Sequence, residues 1–320
     1  MRRQLAARLV QSAIVVLVVA TISFFLIRLA PGDPFAYDTP TITPAVREQW
    51  RHQFGYDRPV VEQFGRYLAS VATGQLGYSW SLHEPVTEAI ASAVPRTLLL
   101  TGVSLALSFA LGLVVGVVQA RRRGTWVDRT LSGVLVFFYS LPDFWLALVL
   151  LLAFTYWLPV LPPGGLTDPV MYDYMNVGQR LVDRLRHLLL PATALTLLTA
   201  AAVARYQRAA MLEVLPLDFV RTARAKGATE ARVVWRHALR AALAPLVALA
   251  GLLFPALLGG SVFVETVFAW PGMGLLAANA VTRQDYDLVT ATVIVGAVMV
   301  ALGNLLADAA HAALDPRTRA

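Results

Sequence analysis

The sequence predicts an all-α membrane protein with six transmembrane helices and both termini on the cytoplasmic side. Three observations carry that expectation. Of the 320 residues, 57% are hydrophobic and the mean hydropathy is +0.61, too apolar for one soluble domain. Five stretches, 9–27, 97–120, 187–204, 241–264 and 288–307, are free of Asp, Glu, Lys and Arg, and each is near the roughly 20 residues that cross the hydrocarbon layer as a helix. A sixth, about 130–156, is interrupted by Asp143 alone. Period-2 alternation is absent, so a barrel is excluded, and in lipid each helix must satisfy its own backbone polar groups.

The first span opens on MRRQLAAR and runs into RLAPGDP. It is longer than a signal-peptide core and lacks a small-x-small cleavage site, so residues 1–29 read as a retained span. Residues 30–96 form an external segment with short amphipathic helices near 44–54 and 59–73, then the turn-rich TGQLGYSWSLHEP. The membrane core is expected over 97–311, with a cytoplasmic loop at 212–240 and a tail at 312–320. A second external loop, about 157–186, begins LPVLPPGG. A third, 265–287, contains FAWPGMG, where Pro271 and Gly272 break the helix.

Lysine and arginine set the orientation. With the N-terminus inside, Arg2, Arg3 and Arg8, then Arg121, Arg122, Arg123 and Arg129, the tract from Arg205 to Arg240, and Arg317 and Arg319 all face the cytoplasm. The segment 30–95 is slightly acidic. The net charge of +7 is therefore a topology signal and requires no nucleic acid.

The loop FVRTARAKGATEARVVWRHALR, 219–240, has its own punctuation. Asp218 is placed to cap a two-turn helix over 219–226, and Gly227 suits the left-handed position that ends it. Thr229 caps again, and Glu230 favours the positive end of the next helix dipole. On that second helix Arg232, Arg236 and Arg240 fall at i, i+4 and i+8, with Val233, Val234 and Ala238 turned away. Attraction to anionic headgroups accounts for part of the charge, but it does not call for two capped helices hinged at a glycine.

Several chemistries are excluded. The single lysine, Lys226, precedes Gly227, whereas a phosphate-binding Walker loop needs its lysine after glycine. Without cysteine there are no disulfides or thiolate metal sites. His52, His83, His187, His237 and His311 are scattered and read as surface or helix-end histidines, so no metal site and no catalytic residue are expected. An intramembrane enzyme would need a reactive pair at depth, where Asp143 stands alone. A self-sufficient secondary transporter would show repeat-related halves.

In this loop Arg221-Thr222-Ala223, Arg224-Ala225-Lys226, Gly227, and then His237-Ala238-Leu239-Arg240 resemble the cytoplasmic loop of ABC-importer permeases. The general pattern there is Glu-Ala-Ala, three residues, Gly, then an apolar-x-Leu-Pro ending. Arg at the Glu and Pro positions matches the peptide-importer branch. APGDP, FGYDRPV, GQLGYS, PRTLLL, SLPDFW, ETVFAWPGMG, RQDY and NLLAD…DPRTR extend the resemblance, over essentially the whole chain, to the B-type permease subunit of dipeptide/oligopeptide importers. Asp143 and Asp287 stand where that branch has an apolar residue and a proline.

The resemblance implies a type I ABC-importer permease fold in the cytoplasmic (inner) membrane and a subunit that is not an enzyme. It implies a pathway shared with a sister permease, ATP used by two separate P-loop ATPase subunits, and an external substrate-binding protein, with no cofactor on this chain. Di- or oligopeptides are the expected substrate; nickel chelates or other small solutes are the alternative. The coupling residues would be Phe219, Arg221, Thr222, Ala223, Arg224, Ala225, Lys226 and Gly227. In that role Gly227 and Ala223 would allow close approach, and Arg221, Arg224 and Lys226 would supply polar contacts.

Pro142, Asp143 and Glu265 are the pathway candidates. A mid-bilayer carboxylate costs at least about 2.5–3.5 kcal/mol, so Asp143 either lines a water-filled path or pairs with a polar group on a neighbouring span. Trp270, Pro271 and Gly272 are expected to shape the outer mouth, and Asn304 and Asp308 to be structural or interfacial.

Overall fold

The computed structural model describes residues 2–29, 45, 48, 49, 52 and 57–314. The expected helix near 44–54 falls almost wholly outside the described residues. The first span is α1, Arg2–Leu29, apolar over Ala7–Leu29. It packs on the last helix, and the Arg8 Nε meets the Asp308 carboxylate at 3.2 Å. The amphipathic α2, Val60–Thr73, lays Phe64 and Tyr67 against Phe24, with ring centroids 5.3 and 5.1 Å apart. A two-residue hairpin follows, β1 Tyr78–Ser79 antiparallel to β2 Glu84–Pro85.

The long helices outrun their apolar windows. Helix α3, Val86–Arg121, has 36 residues, so it is about 54 Å long at 1.5 Å per residue. It starts at Val86, within the segment expected to end at 96, because its first turns carry Glu88 and Arg96 beyond the charge-free window. Helix α6, Val177–Val214, begins on a full capping box in which the Asn176 carboxamide accepts from the Gln179 N–H and Gln179 answers the Asn176 N–H.

The expected span at 130–156 is not one straight helix. It is α4, Trp126–Ser140, and α5, Asp143–Leu151, which ends in a π-type turn, Leu152–Trp157; the two axes differ by 102°. Pro142 supplies the cause, since the residue before a proline is driven out of the helical region, and Leu141 is extended at φ −79°, ψ 137°. A second bend, of 55°, separates α8, Glu230–Ala242, from α9, which runs over Ala244–Gly260. Short helices α10, Val262–Val267, and α11, Met273–Thr282, precede α12, Tyr286–Leu314. The described residues therefore include four long apolar helices, or up to six spans if each bent pair crosses once.

The centre is the α3–α6 pair. Leu100, Ser104, Ser108, Gly112, Gly116 and Ala120 recur every fourth residue along one α3 face, and Ser104, Ser108, Gly112 and Gly116 are all buried. The serine hydroxyls bond back to carbonyls four residues earlier, and the Ser108 hydroxyl also reaches the Thr196 carbonyl at 3.3 Å. Small residues let membrane helices approach until backbones touch. A methyl group on Gly116 would lie 2.6 Å from the Ala204 carbonyl oxygen, whereas one on Gly102 of the same helix would meet nothing within 4 Å. Gly116→Ala is expected to destabilise the protein by about 1–3 kcal/mol through overpacking. Gly102→Ala is expected to be neutral or stabilising through helix propensity. Thermal unfolding of the purified variants checks the opposite signs.

Candidate functional site

The basic loop forms a helical elbow. Pro216 follows the end of α6, and α7, Asp218–Ala225, runs from there to Gly227. Its C-terminus is a Schellman motif: the Gly227 N–H donates to the Arg224 carbonyl at 2.9 Å and the Ala228 N–H to the Ala223 carbonyl at 3.2 Å. Gly227 takes φ +78° as that motif requires. Helix α8 then starts after Thr229 and includes a π-type segment, Val233–Ala238.

The elbow is anchored from inside and bare outside. Val220, Val233, Val234 and Ala238 are buried against Val117, Ala120 and Met211 of α3 and α6. Phe219 is 45% exposed, and with Thr222 and Lys226, also exposed, it forms one face at i, i+3 and i+7. Arg221 and Ala225 are exposed beside them, as are Arg232, Arg236 and Arg240 on α8.

Two capping expectations change in detail. Leu217, not Asp218, occupies the N-cap position; Asp218 lies in the first turn with its carboxylate 3.7 Å from Arg221, where it complements the dipole without capping. Thr229 sits at the next cap position, but its hydroxyl makes no capping bond. Ala223 packs inward beside Val220, and Arg224 is held by Glu230 through two bonds of 3.1 and 2.9 Å. That bidentate pair spans the Gly227 hinge and raises the Arg224 pKa, chiefly through the side-chain hydrogen bond. The Arg224–Glu230 pair clasps the elbow, while Phe219, Arg221, Thr222, Arg224, Ala225 and Lys226 are all exposed.

The pathway candidates separate. Asp143, expected in mid-helix, is the first residue of α5, directly after the Pro142 break, and is half-buried. Its Oδ1 accepts from the Phe144 N–H at 2.8 Å. Glu265 is 0% exposed and has no surface to offer a solute within this chain. Its Oε1 accepts from the Thr97 and Ser261 hydroxyls at 2.8 and 3.1 Å, and its Oε2 from the Gly274 and Leu275 N–H groups at 2.7 and 3.2 Å. The carboxylate thus caps α11, and Thr97 in turn accepts from the Met273 N–H at 2.7 Å. A side chain on Gly272 or Gly274 would strike Glu265. Trp270, 1% exposed, donates its indole N–H to the Arg96 carbonyl. The WPGMG turn is a lock built around a buried carboxylate.

Three polar clusters carry no signal in the sequence strong enough to single them out. Asp128, 4% exposed, takes two bonds from Arg208 at 2.9 and 2.8 Å and one from the Gly124 N–H at 3.0 Å. Asp285 receives both Ser79 and Ser81 hydroxyls at 2.6 and 2.8 Å and ties the β1–β2 hairpin to the start of α12. His187, expected at a surface or helix end, is buried on α6 with its Nδ1 3.3 Å from Asp183; the Asp168 N–H donates to the other Asp183 oxygen. For His187 a local hint exists, an acid one helical turn earlier. Among the described residues no cluster of His, Asp and Glu has metal-binding geometry.

Known proteins are similar to this chain over most of its length. Residues 112–320 match the family described as "Binding-protein-dependent transport system inner membrane component", and residues 1–101 match "Binding-prot-dependent transport system membrane comp, N-term". The oligopeptide transport system permease protein AppB of Bacillus subtilis is 36% identical over 312 residues, covering 97% of each chain. The di/tripeptide transport system permease protein DppB of Pseudomonas aeruginosa is 37% identical over 316 residues, covering 94% of each. Among solved structures, the inward-facing MetNI methionine ABC transporter has a chain that superposes with a TM-score of 0.52 at 25% identity, covering 71% of this chain and 98% of that one. The chain belongs to the family of binding-protein-dependent transport system inner membrane components and is a multi-pass ABC-transporter permease.

Proposed function

We propose that this permease is one of two membrane subunits of an ATP-driven importer of di- or oligopeptides. It crosses the membrane six times with both termini in the cytoplasm, each bent pair counting as one span. A sister permease completes the pathway, an external binding protein delivers the solute, and two separate ATPase subunits bind at the elbow. Peptide is the substrate suggested by the two permeases aligned end to end with this chain.

The observation that carries the coupling is the contrast between the two faces of α7. Val220 fixes the helix to α3 and α6, while Phe219, Thr222 and Lys226 face outward. A short helix held on one side and bare on the other transmits displacement into the spans to which it is tied. Pro142 and Asp143 are the pathway residues of this proposal, at a break in a membrane helix that exposes polar backbone where a solute path needs it. Glu265 acts behind them by holding the outer turn.

The cysteine-free sequence makes the test direct. With a single cysteine at Thr222→Cys, the co-purified complex is expected to crosslink to an ATPase chain with a yield that changes on nucleotide binding, and Val220→Cys is expected not to. Equal crosslinking from both positions, or none from Thr222→Cys, would sink the assignment. The peptide reading is checked separately by mass spectrometry of the ligand retained by the cognate binding protein.

A further inference from the structure

At the end of the molecule that carries the Arg121–Arg123 turn, α3, α4 and α6 leave a cavity of about 140 Å³ among Gln119, Ser132, Val136, Tyr139, Arg205 and Arg208. Among the described residues no carboxylate lines it. The Arg208 charge is answered from outside the cavity wall by its bidentate pair with Asp128. Arg205 instead lies over the Tyr139 ring, 5.1 Å from its centroid. That cation–π contact holds the guanidinium beside the ring without engaging any carboxylate.

A second observation points the same way. Gln119 is 2% exposed; its Nε2 donates to the Ser132 hydroxyl oxygen at 2.9 Å, and its Oε1 has no partner. Flipping the amide exchanges the two atoms, and an N–H group then takes the unpartnered place. In either orientation one amide atom of a buried side chain on the cavity wall lacks a hydrogen bond, which native interiors rarely tolerate.

We infer that this cavity binds the phosphodiester headgroup of an anionic phospholipid of the inner leaflet, with Arg205 on the phosphate and the Gln119 amide on the polar headgroup. Depth supports the assignment. Asp128, the partner of Arg208, is in the first turn of α4 just past Gly124, and Arg205 is about one turn deeper. With the Arg121–Arg123 turn at the cytoplasmic surface, that depth suits the junction of a headgroup and its acyl chains. The mouth is bordered by the exposed Val136 and Tyr139, apolar surface along which an acyl chain can lie. Basic pockets between membrane helices on the cytoplasmic side have this ligand preference. A free peptide fits less well, because its ammonium end would find no carboxylate in the wall. From the proposed function the inference takes only the cytoplasmic placement of the Arg121–Arg123 turn.

The test uses the purified permease complex in bilayer discs of equal parts phosphatidylglycerol and phosphatidylcholine, followed by native mass spectrometry of retained lipid. Phosphatidylglycerol is expected to be retained in preference to phosphatidylcholine. Arg205→Gln is expected to lower that retention about fivefold, the factor for one basic side chain at an anionic surface. Gln119→Glu, nearly isosteric, is expected to act in the same direction by placing a carboxylate beside the phosphate. Arg205→Lys is expected to retain most of the lipid, and Arg232→Gln, a change in the exposed stripe, all of it. Equal retention by the wild type, Arg205→Gln and Gln119→Glu would overturn the inference. So would displacement of the lipid by inorganic phosphate, which would mark a small-anion site, or by a tripeptide, which would mark a stretch of the transport path. None of these outcomes bears on the Thr222→Cys crosslink, so the two readings fail separately.

Discussion

Glu265→Ala is expected to destabilise the permease around the WPGMG turn by about 2–6 kcal/mol, because it strands the Gly274 and Leu275 N–H groups at roughly 1–3 kcal/mol each. The Thr97 and Ser261 hydroxyls also lose their acceptor. They can rotate toward other oxygens, whereas the two backbone donors are fixed by the start of α11. Hydrogen exchange is expected to speed up over residues 272–282 and to stay unchanged in α7. Glu265→Gln is the informative companion. Its carbonyl oxygen can still serve Gly274 and Leu275, and its amide hydrogens can find the Thr97 and Ser261 oxygens, so it should lose only about 1 kcal/mol. If Gln proves as damaging as Ala, the negative charge itself is what the protein needs, and capping of α11 is not the reason for the carboxylate.

This lock shows where sequence reasoning reaches and where it stops. Pro271 and Gly272 announce a turn from their own conformational restrictions. Glu265 acquires its meaning only when Thr97, 168 positions away in the chain, and the N-terminus of α11 are brought to it. The same holds for Asp128 and Arg208, 80 positions apart. Apolar windows locate lipid but not helix ends. Helices α3 and α6 begin at Val86 and Val177, well before 97 and 187, because a helix continues into water without needing an apolar surface. The elbow is legible as two helices hinged at Gly227, although neither Asp218 nor Thr229 caps as expected. Its signals are a glycine stop, an acid at a helix start, and a basic stripe set against Val233, Val234 and Ala238, all of which act over one or two turns. What stays hidden there is again a meeting of two segments, the Arg224–Glu230 clasp.

That clasp and the Schellman motif separate two explanations for Gly227, and a substitution series decides between them. Nothing lies within 4 Å of a side chain built at Gly227, so within this chain the residue is required for its backbone conformation and not for room. Left-handed backbone costs most L-residues about 1–2 kcal/mol, is tolerated by Asn, and is worst for β-branched side chains. Gly227→Val is expected to swing α7 out of its seat, breaking the Ala228-to-Ala223 bond and the Arg224–Glu230 pair. Transport should fall at least about tenfold, the factor that 1.4 kcal/mol represents, while membrane insertion and assembly remain. Gly227→Ala is expected to fall between Val and the wild type, and Gly227→Asn to stay within about threefold of the wild type. Transport-coupled ATP hydrolysis in reconstituted complexes reads the order Gly, Asn, Ala, Val. If Asn is as defective as Val, the ATPase must press directly against the glycine, and close approach rather than backbone handedness is what the position supplies. If all four hydrolyse ATP in step with transport, α7 does not carry the coupling.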